Sequence, residues 1–394
     1  MIELPKTSID FNNTKIAFEA KSNRALKKAA WIFGLMNSPT LVKIGSKMGL
    51  LALKMRLPVE GIIKQTIFEQ FCGGTTLLNS QPTIDELSAF GVQSILDYGA
   101  EGKESDEDFN RTMREIMEAI KFAGQNTHVP FVSVKITGLG RFALLEKFQS
   151  KDTFTTKEEE EFDRVMKRLD SICHLGKEHN TGVFVDAEES WIQDTIDHLV
   201  NIMMSRYNKT TPTVYNTFQL YRHDRLAYLK QSFKLAQEQG FILGAKLVRG
   251  AYMDKERARA AEKNYPSPIQ PNKAKADEDY DLAVRFCVKS YEQIASCTAT
   301  HNADSCRKQV ELIERLQLPK THQHFLFSQL YGMSDHLTFN LQKAGFNTAK
   351  YIPYGPVKDV VPYLIRRAEE NTSVTGDMGR ELSLIKKEIK RRGV

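Results

Sequence analysis

Eight short β-rich runs, separated by charge-rich helical stretches, constrain this chain more than any other feature of its sequence. The runs cover residues 91–98, 129–137, 182–186, 212–220, 242–249, 297–302, 323–330 and 349–355. The helical stretches lie at 106–122, 157–179, 191–207, 225–239, 277–290, 304–315 and 335–344. Strand–helix alternation of this kind over about 265 residues predicts an α/β protein, a (β/α)8 barrel of the TIM type. A doubly wound sheet is the competing architecture, but no Gly-rich dinucleotide fingerprint follows the first run. One further β-like run, 67–74, leaves the strand count open by one.

Around this repeat the sequence predicts a helical N-terminal arm over 1–82, the barrel over 83–375 and a basic C-terminal tail over 376–394. In the arm, Ala30, Trp31, Leu35, Met36, Leu41 and Ile44 alternate with Lys27, Lys28, Lys43, Lys47, Lys54, Arg56 and Lys64. Such a stretch either packs on the main domain or lies on an anionic membrane. Of the 394 residues, 55 are Lys or Arg and 49 Asp or Glu, a net charge of +6, too weak for a dedicated nucleic-acid binder. Neither a membrane-spanning apolar run nor a signal-peptide pattern is present, so a cytoplasmic location is expected. The five cysteines are scattered and never spaced C-x-x-C, which predicts buried free thiols.

The chemistry of a barrel sits at the C-terminal ends of its strands, and here those ends are polar. They carry Lys135 and Thr137, then Asp186 to Glu189, then Asn216 and Gln219. Lys246 to Tyr252 follow, then Thr300-His301-Asn302, Gln329 and Tyr351. Ions in a barrel mouth cost free energy unless they are paired or bound to a ligand. His301, Asp186, Glu188 and Glu189 have ligand chemistry, yet no HxH or HExxH pattern accompanies them, and no metal site is expected. After the last run, 358–371 reads as a helix with Val360, Val361, Leu364, Ile365 and Ala368 on one face. Arg366 with Glu370, and Arg367 with Asn371, are i,i+4 neighbours. They form either surface ion pairs or an anion clamp, since a guanidinium fork matches a carboxylate.

Five motifs together resemble the proline dehydrogenase family. They are VKIT at 134–137, VDAEE at 185–189, KLVRGAY at 246–252, THN at 300–302 and YIPYGPVKDVVPYLIRRAEEN at 351–371. The resemblance covers roughly 90–375. It implies a distorted (βα)8 barrel with its final helix above the mouth, and non-covalent FAD. Lys135, Arg366 and Arg367 then grip the carboxylate of L-proline, and Tyr351 packs against the ring, favouring proline over hydroxyproline. Asp186 and Lys246 take the catalytic positions, with Asp186 and Glu370 balancing the cations. Ala187, Lys246, Arg249, Gly250, Ala251, Thr300 and His301 fall on FAD contacts. The family's glutamine contact aligns with Asn216, while Gln219 lies three residues on, and only one of the two faces inward. Tyr252, Glu370 and Asn371 are supporting residues, and Glu101 loosely matches an acidic gating residue.

The activity this implies is oxidation of L-proline to 1-pyrroline-5-carboxylate, with electrons passed to a membrane quinone and the product released to a separate pyrroline-5-carboxylate dehydrogenase. That places the enzyme at the inner face of a respiratory membrane, with peripheral contact through its basic segments. A hydroxyproline dehydrogenase on the same scaffold and a flavin-free amino-acid sensor are the rivals.

Overall fold

A computed structural model describes residues 9–55, 59–99, 104–373 and 377–394. Within its helices the side chains of residues 39, 46, 47, 50–54, 369–373, 377 and 378 are not described. Eight parallel strands close into a barrel in the order β1-β2-β3-β4-β5-β6-β7-β8. They are β1 Gln93–Tyr98, β2 Phe131–Val134, β3 Gly182–Val185, β4 Val214–Gln219, β5 Leu243–Val248, β6 Ile294–Ala299, β7 Phe325–Leu330 and β8 Thr348–Tyr354.

Two readings from the sequence need correction. The sixth strand begins three residues before 297 and ends ahead of Thr300. Ala295, Ser296 and Ala299 have little β propensity, and burial on both sides, not residue type, makes this strand. The run 67–74 is not a strand: Lys64–Phe68 form a π turn that leads into the Glu69–Phe71 helix. Ile63, Ile67 and Phe71 recur every fourth residue, and that helical period outweighs the β-branched content.

The chain divides into two compact units, residues 102–327 and residues 8–101 with 328–394. In the first, β2 to β6 pair in continuous parallel register, for example Val134 with Val185, Val185 with Asn216, and Lys246 with Cys297. Alternation puts Phe131, Phe184 and Tyr215 on one face. There the Phe131 and Phe184 rings stack at 4.4 Å, and Tyr215 meets Phe184 edge-on at 5.0 Å. Gly182 makes this packing feasible, because a Cβ there would stand 2.2 Å from the Phe131 ring. This aromatic layer floors the polar strand ends above it.

In the second unit, β1 and β8 pair from Gln93–Ala349 to Tyr98–Tyr354. The helices Asn23–Met36, Val357–Ser373 and Asp377–Arg392 share one apolar core that includes Phe33, Phe71, Val360, Leu364 and Ile385. Residue 82, the expected edge of the arm, lies inside the Leu77–Ser88 helix. The basic tail is a docked helix. Arg392 donates to the carbonyls of Phe18 and Lys21 at 2.7 Å, and with Arg391 it grips the buried Glu388. Those arginine side-chain bonds hold that carboxyl down to about 2. All five cysteines are buried free thiols.

Candidate active site

The centre of the site follows from strand parity. Phe184, Asp186 and Lys246 share a face, and Lys246 lies 5.4 Å over the Phe184 ring. Asp186 follows β3 directly, and its amide donates to the Val134 carbonyl at 2.9 Å. Its carboxylate receives the Lys246 ammonium at 2.6 Å and stands 3.7 Å from that of Lys135. All three side chains are largely but not wholly buried, at 13, 7 and 16% exposure. Two ammonium groups thus share one carboxylate at partly accessible strand ends.

Glu188, two residues on, is buried and bonds at both oxygens. Thr137 donates its amide to Oε1 at 3.0 Å and its hydroxyl to Oε2 at 2.5 Å. Burial pushes this carboxyl up to about 7, against the pull of the Thr137 bonds, and the Glu189 charge adds to the rise. Nothing in the sequence distinguished Glu188 from its acidic neighbours, because the signal is depth.

The two amides of β4 separate cleanly. Asn216 points away from the Lys246 face, and its amide donates to Asp197 at 2.8 Å, within a buried pair of Asp197 with Arg225. It is thereby committed to packing. Gln219, on the same face as Tyr215, is buried with an Oε1 that has no hydrogen-bond partner. A buried orphan acceptor is costly unless a ligand donor reaches it.

Arg249, just after β5, is a tie. Its guanidinium donates to Asp277 at 2.7 Å, to Thr300 at 2.8 Å and to Ser305 at 3.0 Å, while lying 4.3 Å over the Tyr280 ring. It thus fixes the loop that carries Thr300 and His301. Gly250 adopts φ +138°, and a Cβ there would stand 2.2 Å from the Tyr221 ring, so the residue must be glycine. Ala187 and His301 are half-buried, Ala251 is exposed, and Tyr252 precedes the Met253–Lys263 helix.

In the second unit, Tyr351 is buried in β8, and Arg366 and Arg367 lie on the Val357–Ser373 helix. Arg367 is nearly buried, 5.3 Å over the Tyr363 ring. Glu370 and Asn371 belong to that helix, but their side chains, like all of Glu101, lie outside the described residues. A second ion cluster went unread in the sequence. Asp335 receives Lys350 at 2.8 Å and stands 3.2 Å from Lys21. Burial alone would raise the Asp335 carboxyl, but the two lysines hold it down to about 2. Burial pulls Lys350 below the usual lysine range despite that pairing.

A closed parallel barrel with charged groups gathered at its strand ends has the layout of the barrel enzymes. A family model described as proline dehydrogenase matches residues 80–380. The mitochondrial proline dehydrogenase 1 of Dictyostelium discoideum is 33% identical, over 90% of this chain and 69% of its own. The carbapenem antibiotics biosynthesis protein CarD of Pectobacterium carotovorum is 30% identical, over 89% and 91%. A Xenopus laevis hydroxyproline dehydrogenase is 28% identical, over 95% and 88%. Among solved structures, proline utilization A of Bdellovibrio bacteriovorus superposes with a TM-score of 0.72 at 22% identity, over 92% of this chain and 38% of that one. The chain belongs to the proline dehydrogenase family.

Proposed function

We propose that this protein oxidises L-proline to 1-pyrroline-5-carboxylate, with non-covalent FAD as hydride acceptor and a membrane quinone as the final electron sink. The observation that carries the reading is the Lys135–Asp186–Lys246 cluster, a seat for a carboxylate beside a buried amide acceptor. Gln219 with its orphan oxygen, the bare backbone at Gly250 and the Arg249-tethered Thr300–His301 loop fit the FAD contacts that the family implies, together with Lys246, Ala187 and Ala251. When bound, FAD accepts the hydride from the ring carbon beside the proline nitrogen.

The protein's own residues do the positioning. Lys135 holds the substrate carboxylate, and the family resemblance adds Arg366 and Arg367 to that grip. Asp186 anchors both lysines and limits the excess charge. The remaining positive field lowers the affinity of the amine for its proton, which leaves the nitrogen lone pair free to form C=N as hydride departs. Orientation supplies much of the barrier reduction, without a protein nucleophile. The first experiment is the anaerobic visible spectrum of the purified protein. Flavin bands that bleach on adding L-proline support the reading; a colourless protein that cannot be reconstituted with FAD overturns it. Tyr351 predicts faster turnover of proline than of trans-4-hydroxyproline, and the opposite order would move the chain toward its Xenopus relative.

For location, we propose peripheral contact with an anionic bilayer, from which the quinone would be reached. No helix of the described residues is long and apolar enough to cross a membrane. Between residues 21 and 59 there is no Asp or Glu, whereas Arg24, Lys27, Lys43, Lys47, Lys54 and Arg56 fall there; Lys21 and Lys28 of the same stretch are paired with Asp335 and Glu69. The exposed Trp31, Leu35, Leu41 and Ile62 rim an apolar cavity of about 460 Å³. Cations around exposed apolar side chains complement anionic lipid. Sedimentation with anionic vesicles but not zwitterionic ones, with a blue shift of Trp31 emission in a Trp191→Phe background, is expected. Failure to bind either vesicle would refute it.

A further inference from the structure

We propose that Glu188 is a positioning residue for Lys135, acting through Thr137. This deepens the reading above and rests on Lys135 as a carboxylate grip. β2 stops at Val134, Lys135 follows in extended conformation, and residues Ile136–Gly138 make a single 3-10 turn. The first N–H groups of such a turn have no internal partner, and no side chain at Lys135 caps it. Glu188 supplies the missing acceptor from the next strand end, taking both the amide and the hydroxyl of Thr137. The carboxylate therefore fixes the direction in which the chain leaves Lys135, and with it the reach of the ammonium toward Asp186.

Glu188 is itself anchored from behind. Its amide donates to Gln193 at 2.9 Å, Gln193 donates to Asp197 at 3.0 Å, and Asp197 is held by Asn216 and Arg225. A continuous buried polar chain thus runs from Arg225 to the turn behind the substrate lysine. Buried networks of this kind set geometry because each member would be costly to leave unpaired. No cation lies within salt-bridge distance of Glu188 among the described residues. The charged groups that bear on it are Lys135 from the β2 turn and Glu189 from its own segment. A protonated carboxyl can no longer accept at both oxygens on equal terms, so the grip on Thr137 is complete only in the ionised form.

The test compares FAD-loaded wild type with Glu188→Gln, Thr137→Val, Lys135→Ala and the Lys135→Ala/Glu188→Gln double variant. Either positioning change is expected to raise the KM for L-proline about tenfold with kcat within roughly threefold and an unchanged flavin spectrum. In the Lys135→Ala background, Glu188→Gln should add nothing. Wild-type KM should fall as pH rises through the neutral range, and that inflection should vanish in Glu188→Gln. An unchanged KM in both single variants, or a fully multiplicative effect in the double, overturns the proposal. If Lys135→Ala itself leaves proline kinetics intact, the carboxylate-grip reading fails. The positioning claim is then decided by crystal structures of Thr137→Val and Glu188→Gln: a Lys135 ammonium displaced from Asp186 supports it, and an unmoved one refutes it.

Discussion

Two carboxylates in this molecule are each shared by two lysines, and the lysines of the two clusters are held differently. Asp186 binds Lys246 and Lys135 at strand ends that keep 7–16% exposure. Asp335 binds Lys350 and Lys21, with Lys350 only 1% exposed and also donating to the Leu330 and Met333 carbonyls. The geometry is nearly the same. What differs is how the lysines are held: Lys350 is enclosed and bonded to backbone carbonyls as well, whereas Lys21 keeps 22% exposure and Lys135 and Lys246 keep 16 and 7%.

Breaking the two clusters should separate activity from stability. Asp186→Asn is expected to lower kcat/KM for L-proline by roughly a thousandfold, on the order of 4 kcal/mol, with little change in Tm. Steady-state kinetics beside thermal melting measure both. Asp335→Asn leaves the buried Lys350 and the part-exposed Lys21 without their counter-charge and should cost about 3–5 kcal/mol of stability, with proline KM within twofold. Calorimetry showing an unshifted Tm would mean that the cluster is relaxed by water.

Titration sharpens the contrast. Glu188 has its folded value raised to about 7, above the unfolded carboxyl near 4.5. Its contribution is therefore full below about 4.5 and is lost as pH rises through 7, on the order of 3 kcal/mol. Asp335, held down to about 2, contributes above about 3.9 and loses that contribution only as pH falls through 2. Chemical denaturation from pH 5 to pH 8 should show a decline that Glu188→Gln removes and Asp335→Asn does not. The smallest effect is expected from Arg391→Ala. Its guanidinium is 46% exposed, and Arg392 still holds Glu388, so thermal melting should show a shift smaller than that of either carboxylate variant.

The barrel was legible because its evidence is periodic. Six of the eight expected runs overlap their strands closely, the 129–137 run outlasts β2, which stops at Val134 before a 3-10 turn, and the 225–239 helix is found with unchanged bounds as Arg225–Gln239. The sixth strand slid because Ala, Ser and Cys carry almost no directional signal. Asp186 and Lys246 were legible as strand-end ions; that Asp186 receives both Lys246 and Lys135 is seen in the structure. The division of labour between Asn216 and Gln219 was open in the sequence, since parity shows that they differ without saying which faces the lysines. Asp197, which captures Asn216, sits on another helix and leaves no mark near β4. Lys21, Asp335 and Lys350 read as three unrelated charges because they are far apart in the chain, and Glu188 is set apart from Glu189 only by its environment.

The docked C-terminal helix has a consequence for the order of events during synthesis. Arg392 bonds to the carbonyls of Phe18 and Lys21, so the second unit is assembled from the first hundred residues and the last seventy or so. At about 5–20 residues per second, the segment that ends near residue 101 waits roughly 10–45 s for residue 328 to emerge. Through that interval the apolar faces of its helices have no partner from the chain's end, while the 102–327 unit lengthens behind them. During synthesis the 8–101 segment is therefore the part whose apolar faces wait longest for their partners.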